Sequence, residues 1–329
     1  MNWSLLFAWF TKSITYGTGI MYGTMGEIVT EKSGGMNLGT PGIMAMGGAA
    51  GFLAGYFYGS VPNPNPIVCI LLVMLSAIMG GILGSAIFSF LTITLRANQN
   101  VTGLALTTFG VGLAKFFGLF ALNGKTDIKA EYAASVFSTR IPGLSDIPVA
   151  GELLFSYGFM TYLAVLLAVV ITFIMQKTRV GLKLRAVGEN PATADSVGIN
   201  VTRYRYVSTL IGGALCGLGG LYYIVSLSYG SWSTETVTSI EALGWLAVAL
   251  VIFAAWKSTN AIWGAYIFGV CFWAYMHLPG LFNIKIDTNL FQMLPYVVTI
   301  IVLIVGSLRK KKENQPPAAL GLPYFREDR

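Results

Sequence analysis

Residues 67–95 run for 29 positions without one charged side chain. As a helix rising 1.5 Å per residue, such a run outreaches the roughly 30 Å hydrocarbon core of a bilayer. Its backbone polar groups would have to be satisfied internally there, which a helix does. Comparable apolar runs recur along the chain. Only 11% of the 329 residues are charged and 55% are hydrophobic, against about 25% charged in soluble domains. The short alternating segments of a membrane β-barrel, about ten residues each, are absent. The pattern predicts an all-α, polytopic helical membrane protein.

About nine transmembrane helices (eight to ten) are expected, at Phe7–Thr30, Thr40–Tyr58, Ile67–Leu95, Val101–Leu122, Leu153–Gln176, Tyr206–Ser226, Ile240–Trp256, Ala261–His277 and Leu290–Leu308. They form one membrane domain over residues 1–308. Within it lie a polar loop at 177–205 and a long loop at 123–152, and a charged, proline-containing tail at 309–329 is expected to be mostly disordered. Trp245, Trp256, Trp263 and Trp273 sit at helix ends as interfacial anchors. The Lys/Arg bias places 177–205 in the cytoplasm, with Lys32, Arg96, Lys257 and the 309–312 run on the same side. That puts the N-terminus outside and the C-terminus inside, and no removable signal is expected.

The residue inventory excludes several chemistries. Cys69, Cys216 and Cys271 are far apart, and no Cys/His metal spacing, nucleophile triad, paired-carboxylate site or phosphate loop is present. No cofactor is expected on this chain and no nucleic-acid partner; lipid is the expected surface partner.

Polar residues in apolar surroundings are the candidates for a solute pathway. Thr30–Gly42, TEKSGGMNLGTPG, interrupts two apolar runs with four glycines, a proline, Asn37 and Gly39. It reads either as a cytoplasmic turn or as a partly embedded break that presents helix ends to a solute. Glu27 lies just before it and is the leading pathway candidate. Asn98, Gln99 and Asn100 either hydrogen-bond a solute or cap the next helix. Glu241, opening the seventh span, is either a pathway acid or a favourable charge in a first helical turn.

The loop at 177–205 holds a short helix. Asn190 is a cap, Pro191 suits the first position, Ala192, Ala194 and Val197 form an apolar face, and Gly198 is a stop. A helix of about two turns is marginal alone and must dock. It reads as an interfacial loop helix or as a docking helix for a soluble partner.

TRVGLKLRAVGENPATADSVGINVTRYRY resembles the coupling loop of ABC-importer permeases of the branched-chain amino acid, ribose and simple-sugar class. Gly181, Leu182, Leu184, Arg185, Ala186, Gly188, Asn190, Ala194, Gly198, Ile199 and Asn200 fit its pattern, while Thr193 and Asp195 stand where an Ala-Ala pair is shifted by one. EKSGGMNLGTPGIMAMGG is similar to the simple-sugar and nucleoside branch, with Pro41 replacing an acidic residue, and ANQNVTGLALT resembles a third block. The resemblance implies one permease subunit working with a second permease, identical or a sister, with two ATPase subunits and with an extracytoplasmic solute-binding protein. ATP and Mg would be bound by the ATPase, and Arg185, Gly188, Glu189, Asn190, Pro191, Ala194, Asp195 and Gly198 would form the ATPase-coupling surface. The expected solute is a nucleoside or simple sugar, with branched-chain amino acids as the alternative and Tyr16, Tyr22 or Trp245 as possible base-stacking rings. The expected location is a bacterial cytoplasmic membrane. An ion-coupled secondary transporter would need two matched breaks; one is visible.

Overall fold

The computed structural model describes residues 3–123, 125, 127–140, 150–282 and 315–327, with isolated positions between 293 and 304. The order is α1 (Trp3–Glu31), α2 (Thr40–Gly59), α3 (Pro66–Ser89) continued by a π-helical turn (Phe90–Thr94), and α4 (Gln99–Leu122). Then come β1 (Ile128–Lys129), α5 (Glu131–Phe137), α6 (Ala150–Leu154), α7 (Phe159–Lys177), α8 (Arg179–Glu189) and α9 (Pro191–Ser196). The chain continues through α10 (Val201–Tyr222) with a second π-helical turn (Tyr223–Leu227), β2 (Ser231–Trp232), α11 (Thr234–Phe253) and α12 (Ser258–Phe282).

Five stretches are long and apolar enough to cross a membrane: Pro66–Thr94, Gln99–Gly118, Phe159–Lys177, Val201–Leu227 and Thr234–Phe253. α1, α2 and α12 pack against them. The expected span Leu290–Leu308 lies almost wholly outside the described residues. The expected fifth span is broken, because α6 ends at Leu154 and α7 begins at Phe159.

α3 shows how the chain meets its surroundings. Ile67, Leu71, Leu75, Met79 and Leu83, four residues apart, form one apolar ridge that is 55–68% exposed. Residues at that spacing share a helix face, and a ridge this apolar belongs against lipid. On the opposite face Val73, Ala77 and Gly81 are buried. There α3 and α2 meet α10 at backbone contact. A Cβ on Gly81 would fall 2.0 Å from the Gly213 carbonyl oxygen, and one on Gly220 would fall 1.9 Å from that of Met44. Small residues permit such approach where van der Waals packing, not a hydrophobic gradient, holds helices together.

The bundle has two distinct ends. At one, β1 and β2 pair antiparallel, Ile128 opposite Trp232, and Trp232 stacks on Phe52. Within the long loop α5 is anchored by the Tyr132 hydroxyl, which donates to the Pro64 carbonyl at 2.5 Å; residues 141–149 lie outside the described set. At the other end lie the α1–α2 connection, α8, α9 and residues 315–327. α1 starts at the first end, where the Trp9 indole donates to the Val270 carbonyl.

Candidate functional site

At the second end, the α1–α2 connection is buried and braced by side chains. Glu27, 1% exposed, accepts the Asn37 backbone N–H at 3.0 Å and the Thr40 hydroxyl at 2.6 Å. Asn37 Oδ1 accepts the Gly39 N–H at 3.0 Å, and Gly39 packs on Leu106 so closely that a Cβ would meet it at 2.8 Å. From α4, Gln99 Oε1 accepts the Met36 N–H at 2.7 Å and the Thr107 hydroxyl donates to the Leu38 carbonyl. Irregular backbone away from water must be satisfied by such partners.

Glu31, also buried, lies within hydrogen-bonding reach of Glu27 and accepts the Trp256 indole N–H. The α11–α12 corner delivers that indole through two consecutive left-handed residues, Ala255 (φ 51°) and Trp256 (φ 55°). That conformation costs non-glycine residues about 1–2 kcal/mol each. Trp256 is thus not the interfacial anchor its position in the sequence suggests; it is 7% exposed and bound to a buried carboxylate.

The other pathway candidates separate. Asn98 caps α4 through the Val101 N–H at 3.1 Å, and Asn100 is exposed. Glu241 does not open its helix. α11 begins seven residues earlier, behind a Ser233–Thr236 capping box with Glu235 in the first turn. Thr24 bonds Ala247 and Glu31 bonds Trp256, so the level of Glu27 on α11 lies about 15 Å along the axis from Glu241.

α8 and α9 form the loop surface at the same end. Thr178 caps α8, Asn190 caps α9 through the Thr193 N–H at 3.0 Å, and Gly198 ends it at φ 82°. Val187 and Ala194 are buried with Val201 in a small core. Gly188 packs on the α1–α2 connection, where a Cβ would sit 2.3 Å from the Lys32 carbonyl oxygen. Lys32 is half-buried, and burial pushes its ammonium below the ordinary lysine range, with Glu189 opposing and Arg185 and Lys257 adding to the shift. Arg185, Glu189, Asn190 and Gly198 are exposed and Pro191 is half-buried. Val197, expected on the docked apolar face, is instead 70% exposed, because the docked face of a six-residue helix is filled by Ala194 alone.

The tail departs furthest from expectation. Residues 315–327 are folded against this end rather than disordered. The Ala319 N–H donates to the Gly188 carbonyl at 3.0 Å and the Gly321 N–H to that of Gly34 at 3.1 Å. Arg205, 4% exposed, donates to the Leu322 carbonyl at 3.1 Å. Asp195 accepts the Tyr324 hydroxyl at 2.8 Å and pairs with Arg326 at 3.3 Å. Leu320 and Tyr324 also pack on buried apolar clusters of the bundle and loop, so contacts distant in sequence hold a segment of polar composition.

A third feature lies toward the opposite end: a cavity of about 860 Å³ between α1, α11 and α12, lined by Tyr16, Tyr223, Trp245, Phe268, Phe272 and Trp273 among others. Tyr22 is not part of it; it is fully buried and donates to the Met160 carbonyl at 2.7 Å.

A bundle with lipid-facing ridges, a braced helix break and a docked loop helix is the architecture of a membrane permease, and the chain belongs to the family described as branched-chain amino acid transport system / permease component, which matches residues 6–303. Among its relatives is the guanosine ABC transporter permease protein NupQ of Bacillus subtilis, 32% identical over 321 residues and 96% of each chain. The nucleoside ABC transporter permease protein NupC of Lactococcus lactis is 33% identical, over 88% of this chain and 89% of that one. The putative glucose ABC transporter permease protein TsgC13 of Haloferax volcanii is 29% identical over 96% of each. No solved structure gives a match.

Proposed function

We propose that the chain is the permease subunit of an ATP-driven importer that passes a nucleoside across a bacterial cytoplasmic membrane by alternating access. Two relatives near one-third identity over most of their length are named for guanosine and nucleoside transport, and that observation carries the substrate class. The aromatic cavity supports it by offering ring faces from Tyr16 and Trp245. A simple sugar is the second reading, favoured by the likeness to TsgC13.

In this reading α1, α2, α12 and residues 290–308 join the five apolar stretches as spans, making about nine. The α8–α9 end faces the cytoplasm, where an ATPase subunit carrying ATP and Mg docks on Arg185, Glu189, Asn190 and Val197. A second permease completes the path and an extracytoplasmic binding protein delivers the solute. Force on α8–α9 reaches the bundle through the Gly188–Lys32 contact, the Val187–Ala194–Val201 core and the packing of Gly181 on the end of α7. ATP acts only through states that it binds differently.

The test is Val197→Asp, which changes an exposed side chain without opening the core. Detergent-purified protein is assayed for co-purifying ATPase and, after reconstitution, for labelled guanosine uptake competed by glucose or leucine. Loss of the ATPase and of uptake is expected. Full ATPase retention, or uptake driven by an ion gradient alone, overturns the reading.

A further inference from the structure

Beside the docked tail, α10 and the π-helical turn after α3 enclose a concave pocket of about 660 Å³ lined by Arg96, Asn200, Arg203, Tyr206, Tyr324 and Arg326. Asp195 is the carboxylate that lines it among the described residues, and it is already paired with Arg326 and Tyr324. Three arginines against one aspartate leave two positive charges. Neither Arg96 nor Arg203 has a carboxylate partner among the described residues.

The pocket is assembled, not incidental. Arg96 stands in a left-handed conformation, φ 57°, and its guanidinium lies 4.6 Å from the centre of the Phe325 ring. A guanidinium stacked on an aromatic face keeps its in-plane N–H groups available for a bidentate anion. The Asn200 side chain caps α10 through the Arg203 N–H at 2.9 Å, which fixes where Arg203 leaves the helix. Tyr206 is held by a 2.5 Å hydrogen bond to Thr94.

Its level identifies the ligand. The pocket sits where two membrane-crossing stretches terminate, Pro66–Thr94 and Val201–Leu227. Ile93 and Val207 form its apolar side, and the apolar surface continues away from it through Phe90, Val207 and Ile211, each about half exposed. A soluble phosphate would use the arginines and leave that surface unanswered. A phospholipid uses both, with its phosphate at the basic rim and its acyl chains along the helices. Basic pockets between helices at a membrane surface take anionic headgroups.

We propose that this pocket binds the phosphate headgroup of an anionic membrane phospholipid, with Arg96 and Arg203 contacting the phosphate and the folded tail forming the wall. The tail is therefore part of a lipid site, and a permease that has lost residues 315–327 has lost the pocket.

The experiment is native mass spectrometry of the full-length protein in detergent, titrated separately with phosphatidylglycerol, phosphatidylcholine and inorganic phosphate. Phosphatidylglycerol is expected to bind at least ~10-fold more tightly than phosphatidylcholine, through charge-assisted bonds of the guanidinium type. The double variant Arg96→Gln/Arg203→Gln should lose most of that preference, whereas Lys177→Gln, on the same end but outside the pocket, should change it less than about two-fold. Equal binding of the two lipids, or an equal loss in Lys177→Gln, overturns the proposal. Displacement of phosphatidylglycerol by equimolar inorganic phosphate overturns it too, since the site would then be one for free phosphate. Should the double variant unfold, Arg203→Gln alone, an exposed position, carries the same expectation.

Discussion

Glu27 braces the helix break and is also the acid expected from the sequence in the pathway, and the two roles can be separated. Replacing it with alanine removes both acceptors in a site 1% exposed. The Thr40 hydroxyl retains the Asn37 carbonyl at 3.1 Å, but the Asn37 N–H is orphaned, at a cost of about 1–3 kcal/mol. The deleted side chain leaves a cavity worth roughly 1–2 kcal/mol more. Glutamine differs: its carbonyl accepts the Asn37 N–H, its amide donates to Thr40, and the Thr40 proton turns to Asn37. Glu27→Gln should therefore cost within about 1 kcal/mol and Glu27→Ala roughly 2–5. At about 2 °C per kcal/mol for a large chain, Tm should fall by roughly 4–10 °C for alanine and little for glutamine. Thermal unfolding in detergent checks stability and solute uptake in vesicles checks function. A wild-type Tm for Glu27→Ala would refute the brace. A stable Glu27→Gln that no longer takes up solute would show that the carboxylate acts on the solute itself.

Gly220→Ala, whose Cβ would strike the Met44 backbone oxygen at 1.9 Å, should destabilise by about 1–3 kcal/mol or more, while Gly112→Ala, with nothing within 4 Å of its Cβ, should be neutral or stabilising by up to about 1 kcal/mol; chemical unfolding of both gives the comparison. Trp256→Phe keeps an aromatic side chain, though a smaller one, and withdraws the indole N–H from the buried Glu31 carboxyl group, so a loss of about 1.5–3 kcal/mol or more is expected in the same assay. Removing residues 315–327 should raise amide hydrogen exchange in α9 by at least ~10-fold and leave the α3–α10 contact protected. Arg326→Ala alone should cost no more than about 1 kcal/mol, since Arg326 is 75% exposed and solvent screens its pair with Asp195.

The helical membrane class and the polar loop with its capped short helix could both be read from the chain, because apolar length and capping chemistry are local signals. The pathway candidates Glu27, Asn37, Gly39 and Gln99 meet in the structure as braces of the α1–α2 connection. Local signals failed where partners are distant in sequence. Nothing around Trp256 announces Glu31, 225 positions away. Glu241 does not open its helix because α11 starts at Thr234, directly after the two-residue strand β2 and the Ser233 cap, a start that depends on the distant pairing of β1 with β2. Val197, expected on an apolar face with Ala192 and Ala194, lies one residue beyond the end of α9, which is too short for a full amphipathic face. The tail reads as disordered because its partners are distant in sequence: the carbonyls of Gly34 and Gly188, the Arg205 guanidinium, and the apolar clusters on which Leu320 and Tyr324 pack.

Translation adds a temporal side to that tail. Every helix described here is synthesised before residues 315–327, and at roughly 5–20 residues per second the earlier segments have time to enter the bilayer first. Until Ala319 and Gly321 reach Gly188 and Gly34, the loop helix lacks its backbone partners and Arg205 lacks its carbonyl. A chain broken off by a premature stop would still insert, yet the end of the bundle that carries α8 and α9 would remain unfinished and open to proteolysis.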